Sequence, residues 1–294
     1  MSEKKVLFLD VDGTLINYYA EMPKSAGEAV DKARENGHLV YICTGCSKFE
    51  VEQRHLCELD GMIGANGGYV EDHGEVILHQ SFTVDQVKHI VDWCNERHLG
   101  ITLEANGGMF NNEYMLEQAP IVNKKYAMGK GTDEKIAEEK AKESVKHLVI
   151  LKGDELYRDD INKVDFVLSS YQDHLDSIKE FPDMVANTWG GKDEQALFGD
   201  LSPKGIAKRN AIDLLLKHLN VDPKDTIAFG DAKIDIPMFD ICGYGVAMGN
   251  AGPETKEAAD YITDDVDENG MWNAFVHLGL IEGEKRWVTR RLFS

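Results

Sequence analysis

Residues 6–15 read Val-Leu-Phe-Leu-Asp-Val-Asp-Gly-Thr-Leu. Four apolar residues lead into two carboxylates, Asp10 and Asp12, and a glycine follows to turn the chain. A short apolar run bounded by turn residues predicts a buried strand. Side chains two apart in an extended chain leave the same face. The strand is therefore expected to deliver both acids to one spot at its carboxyl end, where ligands sit in open α/β sheets. Two aspartates forced together are unfavourable unless a cation or a shared proton relieves them. A divalent metal and phosphoryl chemistry would use such a pair directly. An isolated Asp-x-Asp after a strand is also a common turn or helix cap, so the rest of the chain has to decide.

The flanking pattern alternates. Residues 25–36 carry Ala26, Ala29, Val30 and Ala33 at helical spacing and stop at Gly37. Residues 38–43 form a second apolar run ending at Thr44-Gly45, residues 49–59 read as helical, and residues 62–68 run a third strand into a glycine-rich loop. Strand-helix-strand alternation predicts a parallel sheet with right-handed crossovers. The pattern then changes. A helix is expected over 83–97, a hairpin of 101–105 with 109–111, a charged helix over 132–145, strands at 147–151 and 164–169, a helix over 173–181, and a hairpin of 184–189 with 195–198. Ser202-Pro203-Lys204 has the cap residue and early proline of a helix start. Strands follow at 226–230, 243–248 and 261–262. The expected class is α/β: a doubly wound, Rossmann-like parallel-sheet core of residues 1–81 plus 190–294, interrupted by an α+β domain at 82–189.

Composition bounds the partners. The 294-residue chain is 43% hydrophobic, enough for two ordinary domains, and its net charge is −20. That charge disfavours nucleic acid and anionic membranes, and requires any phosphate site to be locally positive through metal, lysine and backbone amides. No apolar stretch approaches the ~20 residues of a membrane span, and the four apolar residues after Met-Ser-Glu-Lys-Lys are too few for a secretory signal. A cytoplasmic location is expected. Five cysteines in such a chain are expected to be reduced. Cys43 and Cys46 form a C-x-x-C, but no second pair completes a zinc site; Cys57, Cys94 and Cys242 read as small apolar residues.

Three further stretches carry chemistry. Thr44 offers a hydroxyl at a strand end, suited to a phosphate oxygen or to a helix cap. Lys204 is expected at a helix start, where an ammonium opposes the helix dipole. Asp231 and Asp235 lie four apart just past an apolar strand, and magnesium is usually held by few protein carboxylates plus water and substrate phosphate.

Asp-Val-Asp-Gly-Thr-Leu at 10–15 resembles the first motif of the haloacid dehalogenase (HAD) superfamily of phosphatases, and three more motifs follow in order. Thr44 matches the second and Lys204 is assigned to the third. Phe229-Gly230-Asp231-Ala232-Lys233-Ile234-Asp235 resembles the fourth, Gly-Asp-x-x-Asn-Asp. Residues 246–251, Thr263-Asp264-Asp265 and Asn269-Gly270 are similar to the Cof-type branch, subfamily IIB, which carries a C2-type cap. The resemblance implies a magnesium-dependent phosphatase that hydrolyses small phosphomonoesters, sugar phosphates foremost, through an aspartyl-phosphate. It makes Asp10 the nucleophile and Asp12 the general acid/base. Thr44 and Lys204 would hold the phosphoryl group, and the cap would act as a lid. Its metal set is Asp10, Asp12 through its backbone carbonyl, Asp231 and Asp235. The expected substrate contacts are Thr44, Gly45, Lys204, Asn66, Asn250 and Glu104. Glu104 and Asn106 also suit ordinary hairpin positions. Two positions depart from the family pattern: Cys46 stands for an arginine and Ile234 for an asparagine. A small-molecule phosphomonoester is the expected partner, with no nucleic acid or membrane, on a monomer or homodimer. A phosphomutase or phosphotransferase acting on sugar phosphates is the first alternative, which release of inorganic phosphate would separate. A catalytically weak phosphate-binding or regulatory protein is the second. Retention of both Asp10 and Asp12 argues against it, because binding alone needs no acid/base.

Overall fold

The computed structural model describes residues 3–129, 131–189 and 196–287. The chain forms two compact units: residues 1–45, 51–78 and 207–294 make the core, and residues 46–50 with 79–206 make the cap. The first core strands are β1 (Val6–Leu9), β2 (Leu39–Cys43), β3 (Gly61–Gly64), β4 (Tyr69–Asp72) and β5 (Glu75–His79). The cap supplies β6 (Ile101–Ala105), β7 (Gly108–Asn111), β8 (Val149–Ile150), β9 (Ile161–Val167), β10 (Met184–Trp189) and β11 (Phe198–Pro203). The core resumes with β12 (Thr226–Gly230), β13 (Tyr244–Ala247) and β14 (Tyr261–Ile262).

The core sheet runs β14-β13-β12-β1-β2-β3-β4-β5. It is parallel from β14 to β3, and β4 then returns antiparallel to β3. Both faces are covered, and alternation along β1 explains how. Leu7 and Leu9 join Ala29, Val30, Trp272 and Phe275 in one apolar cluster, beneath helices Lys24–Glu35 and Gly270–His277. Val6 and Phe8 join Ala211, Ile212, Leu215 and Met238 in another, beneath helices Lys208–Leu219 and Ile236–Ile241. Each fully buried side chain of this size contributes about 1.5–3 kcal/mol, so the two layers fix which way β1 faces. Since Asp10 follows Phe8 by two, it is turned toward the Lys208 side.

The cap sheet runs β10-β11-β9-β6-β7-β8. One face packs Leu103, Val164, Phe166 and Leu201 against helix Val84–Glu96 and against Phe181, which follows helix Tyr171–Glu180. The first of these helices opens on a full capping box between Thr83 and Gln86.

Two expectations change here. Ser202-Pro203-Lys204 does not open a helix. Ser202 and Pro203 end β11, paired with Val185 and Met184 of β10, and the helix begins at Lys208. A cap-plus-proline signature resembles a strand end when the residues before it are already laddered. The return to the core therefore comes at 207, not at 190. A helix over Met115–Gly129 also has no counterpart in the sequence reading; Pro120 lies inside it and interrupts its pattern. The expected strand at 195 falls partly outside the described residues.

Candidate active site

β1 ends at Leu9, and Asp10 continues its ladder for one more bond, its amide donating to Phe229 O at 2.9 Å. The Asp10 side chain is buried, as are those of Asp231 and Asp235. One carboxylate oxygen from each of the three lies within 4.8 Å of the others. Lys208 Nζ stands among them, 2.9 Å from Asp10 Oδ1 and 2.7 Å from Asp235 Oδ1. Burial first, then repulsion from Asp235 and Asp231, pushes the Asp10 carboxyl well above the usual carboxylate range, with Lys208 pulling against both. Burial alone would lower the Lys208 ammonium, but Asp10 and Asp235 outweigh it and hold it well above the usual lysine range.

Asp231 follows β12 directly. Its amide and that of Ala232 donate to Asp235 Oδ2 at 3.1 and 3.0 Å. Both Asp235 oxygens are thus engaged, one by Lys208 and one by backbone, which makes Asp235 the brace of this turn. Gly230 is required beside it, because a Cβ there would collide with the Asp235 side chain. Thr14 Oγ1 donates to Asp231 Oδ1 at 3.3 Å, and the Tyr18 hydroxyl donates to Asp231 Oδ2.

Asp12 stands apart. After Leu9 the chain folds into a turn in which Leu15 N and Ile16 N both donate to Val11 O. The two-residue alternation of a strand therefore does not extend to Asp12, whose side chain pairs with Arg54 and stays 38% exposed. It is not in the acidic group that gathers around Lys208. Lys204 is the second correction. It is exposed at the end of β11, with its carbonyl accepting from Gln80 Nε2. The ammonium beside Asp10 belongs to Lys208. The apolar stripe of Ala211, Ile212, Leu215 and Leu216 points to it, since one turn back along that stripe falls on 208.

Thr44 is buried at the carboxyl end of β2, which pairs with β1. Its amide donates to Ile63 O at 2.9 Å and its carbonyl accepts from Asn66 N at 3.2 Å. Gly45 lies against Asn66, where a Cβ would stand 2.9 Å from Asn66 Oδ1. Asn66 is buried with a positive φ of 55°, and its Oδ1 has no donor among the described residues. Asn250 is engaged at both ends: Nδ2 donates to Gly13 O at 2.8 Å and Oδ1 accepts from Val266 N at 3.0 Å. It braces the Asp10–Ile16 turn. Glu104, in the cap, is almost fully buried and ion-paired to Lys163 at 3.1 Å. Asn106 lies in the turn after β6 with its Oδ1 buried and without a partner among the described residues. Ile234 is 45% exposed. All five cysteines are free thiols, and burial pushes the Cys43 thiol far up. Arg54, Thr14 and Tyr18 were not singled out by the sequence; only the fold brings them to the acids.

The family model for haloacid dehalogenase-like hydrolases matches residues 7–275. The chain belongs to this family. Its architecture and neighbours place it among the Cof-type hydrolases. Over 286 residues it is 26% identical to the 5-amino-6-(5-phospho-D-ribitylamino)uracil phosphatase YwtE of Bacillus subtilis, covering 91% of this chain and 95% of the relative. It is 24% identical to the phosphatase YwpJ of the same organism, covering 93% of this chain and 99% of that one. Among solved structures, the HAD phosphatase BT1666 from Bacteroides thetaiotaomicron superposes with a TM-score of 0.76 at 26% identity, covering 95% of this chain and 96% of that one. The relatives' shared activity makes this Cof-type chain a hydrolase of the phosphatase class. No helix among the described residues is long and apolar enough to cross a membrane.

Proposed function

We propose that the chain is a magnesium-dependent phosphatase of small phosphomonoesters that works through an aspartyl-phosphate on Asp10. The observation that carries this reading is the buried Asp10 carboxylate, with Lys208 2.9 Å away and Asp231 beside it. The two neighbouring carboxylates, Asp235 and Asp231, raise the cost of ionising Asp10, and hard oxygen donors of this kind suit magnesium. Asp10 and Asp231 would hold the ion with the backbone carbonyl of Asp12, and Asp235 would orient Lys208. When bound, the ion supplies charge neutralisation at the phosphoryl oxygens.

The chain's own residues divide the remaining work. One Asp10 oxygen attacks phosphorus in line; the new P–O bond forms as the bond to the leaving alcohol breaks. Asp12, outside the Lys208 cluster and half-exposed beside Arg54, gives its proton to that alcohol. It then takes a proton from the water that hydrolyses the aspartyl-phosphate. Lys208 and Thr44 hold phosphoryl oxygens, so the role expected of Lys204 passes to Lys208. Gly45 and Asn66 line the same strand end and are kept as substrate contacts. Asn250 acts through the loop it braces.

Sugar phosphates head the substrate list. The relative YwtE is named for a phosphorylated ribityl compound, which supports a polyhydroxylated leaving group. Glu104 and the cap would read that group. Release of inorganic phosphate from a panel of sugar phosphates, nucleotides and cofactor phosphates, with and without magnesium, tests the reading. Magnesium-dependent release from some members is expected. Transfer to a second sugar without release would favour a mutase, and no turnover on any member would overturn the reading.

A further inference from the structure

We propose that Tyr18 is a positioning residue for Asp231: its hydroxyl fixes that carboxylate's orientation and so sets the affinity of the site for a divalent cation. The inference rests on Asp231 as a metal ligand in the reading above. Tyr18 and Asp231 are 213 residues apart, yet the phenol donates to Asp231 Oδ2. The phenol O–H donates and the carboxylate oxygen accepts.

The loop that carries the phenol is tied down on both sides. Gly13, at φ +86°, lies where a Cβ would collide with both Asp231 Oδ2 and the Tyr18 hydroxyl. Only glycine lets the chain pass this close. Asn17 Oδ1 accepts from Tyr19 N and Glu21 N at 3.0 Å each, and Asn17 Nδ2 donates to Asp267 Oδ1 at 2.9 Å. Asn250 Nδ2, bonded to Gly13 O, lies 3.5 Å from the Tyr18 hydroxyl. The phenol is therefore delivered to Asp231 by a loop pinned to the 250–267 segment. Thr14 Oγ1 takes the other Asp231 oxygen at 3.3 Å. Asp231 is thus held from two sides by hydroxyls. Donors of this kind orient a ligand's lone pairs, and losing one typically weakens metal binding by about 10–100-fold.

The test is Tyr18→Phe in the full chain, which removes one oxygen. Magnesium affinity is measured by calorimetry without substrate, and manganese by counting free ion with paramagnetic resonance. Both dissociation constants are expected to rise about tenfold, at the lower end for an outer ligand partner. Stoichiometry should stay the same, and turnover should recover at saturating magnesium. Tyr18→Met removes the hydroxyl a second way and should give the same loss, while Tyr19→Phe, at an exposed neighbour, should not. Metal-free melting curves show whether each variant is folded. Wild-type protein that binds neither ion overturns both this assignment and the phosphatase reading. Wild-type binding that survives Tyr18→Phe unchanged, or tightens, overturns this assignment alone.

Discussion

The core and the cap each bury a lysine between two carboxylates, and they satisfy those carboxylates differently. In the core, Lys208 bridges Asp10 and Asp235 at 2.9 and 2.7 Å. In the cap, Lys163 bridges Glu104 and Asp165 at 3.1 and 3.3 Å. The core residues sit just past β1 and β12 and at a helix start. Strand ends leave backbone amides without ladder partners, and Asp235 Oδ2 takes two of them. The cap residues sit inside β6 and β9, where the ladder consumes the amides. Glu104 Oε2 and Asp165 Oδ1 consequently receive no N–H or O–H from the described chain. Burial, then the charge of Glu50, pushes Glu104 well above the usual carboxylate range. Burial raises both Asp10 and Glu104, so the clusters differ in backbone support: amides hold the acids at the strand ends, and the mid-sheet acids keep oxygens without a donor among the described residues. Location on the strand, more than residue type, decides which carboxylates the backbone can satisfy.

The largest effect expected from this contrast is on turnover. Asp10→Asn should remove phosphatase activity by on the order of 10⁴-fold or more, since a carboxamide is a poor nucleophile. Glu104→Gln should leave magnesium-dependent turnover measurable on the best substrate. Phosphate release by both variants checks it. Comparable losses in the two would erase the distinction between the clusters.

The next effect is on stability. Lys208→Met leaves two buried carboxylates without their cation, a change that typically costs about 3–5 kcal/mol. Lys204→Met, at an exposed strand end, should stay within about 0.5 kcal/mol of wild type. Urea unfolding of the two variants at neutral pH separates them. Equal midpoints would return the role to Lys204.

That pair of lysines also marks how far the sequence was legible. The parallel core, the inserted α+β unit and the acids Asp10, Asp231 and Asp235 all follow from apolar runs ending in carboxylates, a pattern local enough to read. Lys204 was misread because Ser-Pro-Lys carries a helix-start signature, while β-pairing to β10 is a long-range fact that no local pattern contains. Asp12 was misplaced by extending strand alternation one residue too far. Arg54, Thr14 and Tyr18 meet their acids only through the tertiary fold, 42, 217 and 213 residues away in sequence. The burial of Glu104 is not legible in the sequence, because it depends on the pairing of β6 with β9.

A third effect is pH-dependent and belongs to the cap. Burial pushes the Asp200 carboxyl up to about 6, against the pull of Lys163. Its unfolded value is about 3.9. The folded state therefore holds this proton more tightly, and the stability tied to it is complete below about pH 4 and lost as pH rises through about 6. Asp200→Asn, which can still accept from Asn187, carries no such loss. It should match wild type near pH 4 and exceed it at pH 7 by about 1–3 kcal/mol. Thermal melts across that range check the sign. A variant that is less stable at pH 7 would show that Lys163 needs the Asp200 charge more than the fold needs the proton.

The smallest effect is expected at Ile234, where the family pattern has asparagine. An apolar side chain cannot make hydrogen bonds, so its presence suggests an under-organised metal site. The structure argues otherwise. The neighbouring Asp235 is already fixed by Lys208 and by the amides of Asp231 and Ala232, and Asp231 is held by Thr14 and Tyr18. Ile234 itself is 45% exposed, so little apolar burial is lost on replacing it, and the cost in stability should stay within about 0.5 kcal/mol. Ile234→Asn then adds one neutral contact to a site already ordered by charged ones, which are roughly twice as strong. Its apparent magnesium constant should stay within about threefold of wild type, less than the 10–100-fold typical of a lost outer-shell partner. Titration of turnover against magnesium in both forms decides the matter. A tenfold gain in affinity would mean that the turn around Asp235 is less rigid than its hydrogen bonds imply, and would bring the core site closer in character to the cap cluster.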